Sequence, residues 1–246
     1  MNPTLEDICR TLNLPTVADQ WSAEAKQASN DNIAYSDFLY NLLEQEAAAK
    51  HARTVQTLLK FARLPFRKTL DSFDFAFQAT VDQRQIKECA TLSFIKAKEN
   101  ILFLGPPGVG KTHLAVSLGL EAISQGYKTY FITAQELILQ LKKAEANGVL
   151  EKKLRSLVKP SVLIIDEMGY MVLDPEGAHY LFQVISRRYE RGPIILTSNK
   201  SFGEWGEVVG DTIIATAMLD RLLHHSRIFN LKGESYRMKE KQNESL

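Results

Sequence analysis

The chain has 246 residues, of which 45% are hydrophobic and 24% charged, and its formal net charge is +1 at pH 7. This composition is typical of a globular protein that buries a core, and it excludes a disordered or fibrous chain. A net charge near zero also excludes a strongly basic protein, so any nucleic-acid site has to come from local patches.

Membrane and disulfide signals are weak. No apolar run approaches the roughly 18–20 residues that cross a bilayer, and the start MNPTLEDICR lacks the pattern of a signal peptide. Cys9 and Cys89 lie far apart and form no CxxC pair, which argues against a disulfide framework and a zinc site. The sequence therefore predicts a cytoplasmic protein with no membrane partner.

Residues 1–68 predict a small helical domain. Thr4 and Asp7 resemble a capping box ahead of apolar residues at helical spacing, and Pro15 opens a second helix. Ser36 is expected to cap a long third helix whose pattern stops at Pro65. We expect a small helical bundle here.

From about residue 100, short apolar strands alternate with helical stretches. The candidate strands are ILFL (101–104), KTYFIT (128–133), VLIID (162–166), IILTS (194–198) and RIFNL (227–231). Continuous apolar runs indicate strands covered on both faces, as in a parallel sheet between helices. We predict an α/β domain over 69–238 with a five-stranded parallel sheet, and a disordered tail over 239–246.

The stretch GPPGVGKT at 105–112 joins the first predicted strand to a predicted helix and matches G-x-x-x-x-G-K-[ST] at all four fixed positions. Glycines let successive backbone N–H groups point at phosphate oxygens, and the helix N-terminus adds a positive dipole. Lys111 would reach the β- and γ-phosphates of a nucleotide, and Thr112 would offer its hydroxyl to Mg²⁺. The other residues predicted to contact nucleotide, within this motif or directly after it, are Gly105, Pro106, Gly108, Val109, Gly110 and His113.

Two adjacent acids end the third predicted strand. Asp166 would emerge at the carboxyl edge of the sheet as a second magnesium partner. Glu167 would activate a water for attack on the γ-phosphate, and a solvated acid at the strand end is the alternative. The pair favours hydrolysis over transfer to a small acceptor, which argues against a small-molecule kinase.

Two later residues are candidates for sensing the nucleotide. Asn199 follows the fourth strand, where its amide would hydrogen-bond the attacking water and the γ-phosphate, unless it is only a turn residue. Arg221 precedes the last strand and would neutralise charge in a neighbouring subunit's site, or else pair with an acid such as Asp220. His224 and His225 lack a metal-ligand partner at suitable spacing, which predicts surface or hydrogen-bonded histidines.

The order of these motifs resembles the AAA+ ATPase core. The stretches GPPGVGKTHLA, VLIIDEMGY, ILTSNKSFGEW, MLDRLLHHS and GESYR together resemble the IstB-like ATP-binding helpers of insertion-sequence transposition, and the chain is similar to the related DnaC-like helicase loaders. The resemblance implies Walker A roles for Lys111 and Thr112. It implies Walker B roles for Asp166 and Glu167.

The same resemblance makes Asn199 the sensor, Arg221 a trans-acting arginine finger, and Arg237 a nucleotide contact from the far side. It further implies an ATPase that forms homo-oligomers on duplex DNA and assists a partner transposase. About 15 residues follow the last predicted strand, too few for the C-terminal helical lid of most AAA+ proteins. A DnaC-like loader that grips a replicative helicase is the alternative function.

Two basic patches are candidates for phosphate contacts with duplex DNA, without sequence preference. On a helix, four basic residues of 50–63 fall within an arc of roughly 140°, opposite an apolar side. The segment between strands two and three is long enough for two helices, which resembles the insertion of initiator-type AAA+ proteins. A solvated basic face without a ligand is the alternative. The candidates are Lys50, Arg53, Lys60, Arg63, Arg67, Lys68, Lys142, Lys143, Lys152, Lys153 and Arg155.

Overall fold

The computed structural model describes residues 3–236 and residue 238. The chain divides into two compact units, Met1–Thr57 and Leu58–Leu246. The domain boundary predicted at residue 68 from the change in sequence pattern falls within the second unit. Among the described residues, no helix combines the length and the apolar character that crossing a bilayer requires.

The first unit is helical, as predicted. It contains α1 (Leu5–Thr11), α2 (Pro15–Asn30) and most of α3 (Tyr35–Ala62). The capping box between Thr4 and Asp7 is confirmed, with the Asp7 amide donating to Thr4 Oγ1 over 3.2 Å. The predicted cap at Ser36 is wrong, because α3 begins at Tyr35 and Ser36 is already within the helix. The amides of Asp37 and Phe38 donate to the Ala34 carbonyl.

The N-terminus of α2 is capped from another helix. Leu14 precedes α2 and provides no side-chain cap, but the buried carboxylate of Glu46 on α3 accepts from the Thr16 and Val17 amides over 2.7 and 3.0 Å. Arg53 completes the site by donating to the same carboxylate. Burial raises the pKa of Glu46, but the hydrogen bonds from Val17, Arg53 and Thr16 outweigh it and leave this pKa below its usual value.

Because the folded pKa of Glu46 is lowered, its stabilising effect is complete above the ordinary glutamate pKa of about 4.3 and is lost as the pH falls through the folded value. We expect Glu46→Gln to lower the free energy of opening α2 at neutral pH by about 1–2 kcal/mol. Amide hydrogen exchange across 15–30 measures this. Glu44→Gln, an exposed change on the same helix, is the control, and equal protection in both variants would contradict the capping role.

The second unit contains a five-stranded parallel sheet in the order β2-β3-β4-β1-β5. Its strands are β1 (Asn100–Leu104), β2 (Thr129–Thr133), β3 (Val162–Met168), β4 (Ile194–Ser198) and β5 (Ser226–Asn230). Each strand lies within two residues of its predicted bounds, so the predicted sheet is confirmed. Its first four strands are almost entirely buried, which explains their continuous apolar runs.

Helices cover both faces of this sheet and enclose two apolar clusters. Two helices lie between β2 and β3, as predicted. Short 3₁₀ turns occur at Leu70–Ser72 and Phe202–Glu204. The helices are α4 (Gln83–Ala90), α5 (Ser93–Ala97), α6 (Lys111–Ser124), α7 (Ala134–Ala146), α8 (Leu150–Val158), α9 (Pro175–Arg188), α10 (Trp205–Val209) and α11 (Thr212–Leu223).

Candidate nucleotide site

The Gly-rich loop leaves the carboxyl end of β1 and runs into the first turn of α6. Its glycines Gly105, Gly108 and Gly110 all have positive φ, which other residues rarely adopt. At Gly110, where φ is 97°, a Cβ would lie 2.6 Å from the ring of Phe73. This position therefore requires glycine both for its backbone conformation and for the aromatic side chain packed against it.

Lys111 and Thr112 begin α6 directly after this loop. The Lys111 ammonium donates to the Gly105 and Pro106 carbonyls, both over 2.7 Å, so it lies along the loop where a phosphate would be held. The Thr112 hydroxyl donates to the Asp166 carboxylate, with its oxygen 2.9 and 3.1 Å from the two carboxylate oxygens. The fold thus joins the two predicted motifs through a direct contact.

A register shift places Asp166 and Glu167 opposite one residue of the neighbouring strand. Ile165 pairs with Leu196 and Met168 pairs with Ser198, so two residues of β3 face Thr197 alone. The Thr197 hydroxyl lies 2.5 Å from Asp166 Oδ1 and accepts the Glu167 amide over 3.0 Å. Glu167 has a φ of 62°, an uncommon value outside glycine, and its exposed side chain lines the cleft above the loop.

Thr197 is a site residue that our sequence reasoning missed. The strand sequence IILTS contained the signal, since a threonine and a serine interrupt an otherwise apolar strand and both are fully buried. Buried hydroxyls need hydrogen-bond partners, so a polar pair at this strand end indicates a neighbouring polar site. The identity of the partner depends on which strand lies beside β4.

The donor atoms at this position suit Mg²⁺. Thr112 and Asp166 offer a hydroxyl and a carboxylate within hydrogen-bond distance of each other, and Asp166 is only 3% exposed. Mg²⁺ prefers hard oxygen ligands, commonly one or two from the protein with the rest from phosphate and water. The residues present therefore fit this ion.

An aromatic wall faces the loop across a cleft of about 340 Å³, within the usual size range of small-molecule sites. Phe66, Phe73, Phe77 and Tyr236 line the cleft, and the rings of Phe77 and Tyr236 meet edge to face with centroids 5.3 Å apart. The segment that carries the phenylalanines is held to the loop where Gln78 donates to the Val109 carbonyl over 3.1 Å. Flat apolar rings beside a phosphate loop offer a surface on which a nucleobase can stack.

His113 holds the same segment to α6. Its Nε2 lies 2.9 Å from the Thr69 carbonyl and 3.2 Å from Ser72 Oγ, and its ring packs edge-on against Phe66 and Phe73. Burial lowers the pKa of the His113 imidazole, which favours its neutral form. His113 lines the cleft and also supports the aromatic wall.

The other predicted catalytic residues do not line the cleft. Asn199 is beside Gly169, and its buried Oδ1 forms no hydrogen bond within the described part of the chain. It does not line the cleft, whereas Thr197 does. A nucleotide-sensing role for Asn199 therefore stays a prediction, and Arg237 lies outside the described residues.

Arg221, near the end of α11, lies at the opposite edge of the sheet from the Gly-rich loop. It lines a crevice with Asn100 and Ile194, the first residues of β1 and β4. Its guanidinium donates to the Ala217 carbonyl and lies 4.9 Å from the ring centroid of Phe182, and it pairs with no acid among the described residues. The length of β1, about 13 Å, separates this crevice from the loop that follows the strand.

The candidate DNA-contacting residues fall into two groups. Several are engaged within the fold: Arg53 with Glu46, Arg63 with Glu136, Lys142 with Asp174, Lys153 with Gln140 and Arg155 with Glu151, while Lys68 lines the cleft. Exposed residues that form no ion pair within the described ranges are Lys50, Lys60, Arg67, Lys143 and Lys152. The predicted arc on α3 also loses Arg63, because the helix ends at Ala62.

Comparisons with known proteins give a consistent result. A sequence profile for the family described as IstB-like ATP binding protein matches residues 8–244. An ATP-binding protein of insertion sequence IS5376 from Geobacillus stearothermophilus is 66% identical, with 98% of this chain and 96% of the relative aligned. The corresponding protein of IS21 from Pseudomonas aeruginosa is 45% identical, with 97% and 90% aligned.

Solved structures that are similar to the chain share its fold. DnaA from Aquifex aeolicus, bound to AMPPCP, gives a TM-score of 0.57 at 20% identity, over 74% of this chain and 56% of DnaA. The DnaC helicase loader gives 0.53 at 20% identity, over 72% of this chain and 99% of the loader. The second unit therefore has the P-loop AAA+ fold that the motifs predicted.

Proposed function

Because the chain belongs to the family of IstB-like ATP-binding proteins, we propose that it hydrolyses ATP and assembles on duplex DNA on behalf of its insertion sequence's transposase. The observation that carries the ATPase proposal is that the Thr112 hydroxyl donates to the Asp166 carboxylate, while Thr197 contacts both that carboxylate and the Glu167 backbone amide. Insertion-sequence relatives that align along nearly their whole length support the link to transposition.

In the proposed reaction the Gly-rich loop holds the phosphates with its amides, and Lys111 offsets their negative charge. Thr112 and Asp166 would hold Mg²⁺, which supplies charge neutralisation on the β- and γ-phosphates. Glu167 would accept a proton from the attacking water, and its position at the cleft wall is consistent with that role. Phe66, Phe73, Phe77 and Tyr236 would hold the base.

Thr197 is proposed as a positioning residue, since one hydroxyl contacts the Asp166 carboxylate and the Glu167 backbone. We expect Thr197→Val to lower ATP turnover by about tenfold to a hundredfold, the effect of losing hydrogen bonds that involve a charged group. Affinity for nucleotide measured without Mg²⁺ should stay nearly unchanged. Phosphate release measures the turnover, and titration with a fluorescent nucleotide in the absence of Mg²⁺ measures the affinity.

The matched control is Thr197→Ser, which retains the hydroxyl and should recover most of the turnover. Equal turnover in the valine variant and the wild-type protein would exclude Thr197 from this role. An equal loss of turnover in the valine and serine variants would indicate that packing of the threonine methyl group matters. That result would also contradict a positioning role for the hydroxyl.

Arg221 would act between subunits. It cannot reach the cleft of its own chain across the sheet, and its place near the end of α11 leaves it available to a neighbouring subunit. A positive charge that approaches the γ-phosphate from a second subunit would make hydrolysis depend on assembly. This proposal joins the nucleotide site to oligomer formation.

DNA binding would depend on the exposed lysines that no acid neutralises. Lys143 lies on α7 and Lys152 on α8, and neither forms an ion pair within the described ranges. We expect their joint replacement by alanine to remove about two phosphate contacts. Each lost contact should reduce the slope of log affinity against log salt concentration by roughly 0.9.

The test of the lysines measures affinity for a random-sequence duplex by fluorescence anisotropy over a range of salt. The matched control replaces Lys142 and Arg155, which are paired with Asp174 and Glu151, and should change the slope less. A larger effect in the control than in the Lys143 and Lys152 variant would contradict this assignment.

The experiment that tests the whole proposal is sedimentation of Glu167→Gln with a random-sequence duplex, with and without ATP and Mg²⁺. Large protein–DNA particles that form only with ATP would support assembly on DNA. A monomer that ignores the duplex under both conditions would contradict the proposal and favour a helicase loader. Capture of the replicative helicase would then test that alternative.

A further inference from the structure

Three metal-ligating side chains converge at a site far from the Gly-rich loop. Glu190, His224 and His225 each offer a ligand atom, and these atoms lie within 4.8 Å of one another. The sequence did not indicate this arrangement, because the two histidines have no suitably spaced partner near them in the chain. The fold provides Glu190 from the turn between α9 and β4.

The cluster includes a contact that orients one of its ligands. His224 is the residue that caps the end of α11, and its Nδ1 lies 2.9 Å from the hydroxyl of Tyr189. A hydrogen bond at Nδ1 leaves Nε2 available, which is the arrangement that protein metal sites commonly use to fix an imidazole. The Glu190 carboxylate has no hydrogen bond or ion pair within the described ranges, so it is available as a ligand.

We propose that Glu190, His224 and His225 bind one transition-metal ion of the Zn²⁺ type. Two imidazoles and a carboxylate form a three-ligand set that suits Zn²⁺ and leaves a fourth position open. Zinc bonds of about 2.0–2.1 Å place tetrahedral ligand atoms about 3.3 Å apart. All three side chains are exposed, and small side-chain rotations would bring their ligand atoms to that spacing.

The surrounding charge argues for a transition metal and against Mg²⁺ or Ca²⁺. Lys98 and Arg221 line the crevice that Glu190 and His225 also line. These cations make purely electrostatic binding of a hard ion unfavourable. Coordination by imidazole nitrogen, which Zn²⁺ and its neighbours in the first transition row accept readily, does not depend on a negative surrounding.

A bound ion would connect the turn between α9 and β4 to the end of α11. That end of the helix also carries Arg221, one turn before the histidines. The ion would therefore restrict the position of this arginine. Metal binding itself follows from the ligand geometry and does not depend on the proposed ATPase or DNA activities.

The test is a competition titration of the metal-free full chain with Zn²⁺ against a chromophoric chelator, with Co²⁺ absorption as a report of ligand geometry. We expect one tight equivalent in the wild-type protein. His225→Ala and Glu190→Gln should each weaken binding at least tenfold, and Tyr189→Phe, which keeps the ring, should weaken it by about tenfold.

Two control variants locate the site. His179→Ala removes another exposed histidine, on α9, and Asp166→Asn removes the acid of the nucleotide cleft. Both should retain the tight equivalent. The proposal is overturned if the wild-type chain binds no tight equivalent, if the variants at His225, Glu190 and Tyr189 bind as tightly as wild type, or if either control loses the ion.

Discussion

Replacement of Glu167 by glutamine is expected to lower ATP turnover by about 10²–10⁴-fold, the usual contribution of a general base, while ATP still binds. The amide has nearly the same shape as the carboxylate but cannot accept a proton from water. The Glu167 backbone amide would keep its hydrogen bond to Thr197, so the bulge in β3 should be preserved. A fluorescent ATP analogue measures binding, and phosphate release measures turnover.

The matched control for this variant is Glu176→Gln, which changes an exposed acid in the first turn of α9. Its turnover should equal that of the wild-type protein. Unchanged turnover in Glu167→Gln would remove Glu167 from the role of base. Loss of ATP binding in the same variant would instead assign the carboxylate to nucleotide binding and also contradict the proposed mechanism.

Arg221→Ala is expected to lower turnover by about 10³-fold or more, the effect of removing an arginine finger. Nucleotide affinity of the single chain should not change, because Arg221 lies at the far edge of the sheet from its own cleft. Arg191→Ala is the matched control, since Arg191 is an exposed arginine in the nearby turn. This control should retain turnover.

Mixing two inactive variants distinguishes action between subunits from a structural effect within one subunit. Lys111→Ala should lose nucleotide binding but keep its arginine, whereas Arg221→Ala should keep its cleft and lose its arginine. If the arginine acts in trans, the mixture should recover part of the turnover. A mixture as inactive as its components would contradict the assignment of Arg221 as a finger.

The phosphate loop and the strands could be predicted from sequence because their signals are local. Gly105, Gly108 and Gly110 need positive φ, which depends on the absence of a side chain at each position. Buried parallel strands need apolar residues on both faces, so the apolar runs VLII and IIL that begin the third and fourth strands were evident in the sequence. The family resemblance rests on the same kind of short, contiguous signal.

The charge pattern shows where local signals fail. The stretch 50–68 contains no acid. Even so, Arg53 forms an ion pair with Glu46, seven residues earlier on the same helix, and Arg63 forms one with Glu136, which is distant in sequence. A count of basic residues could not reveal these pairs, because ion pairs form between side chains that are close in space rather than in sequence. Only the tertiary structure distinguished Lys50, Lys60, Arg67, Lys143 and Lys152, which are exposed and form no ion pair within the described ranges, from the other basic candidates.

By itself, the sequence determined the phosphate loop, the acids Asp166 and Glu167, the five strands and the family, all of which depend on neighbours along the chain. The tertiary structure decided the strand order, and with it that Thr197 lies opposite both acids across the bulge. It also brought Glu190 to His224 and His225. Such contacts depend on packing between distant segments, where the free energy of burial and hydrogen bonding selects partners that no local pattern specifies.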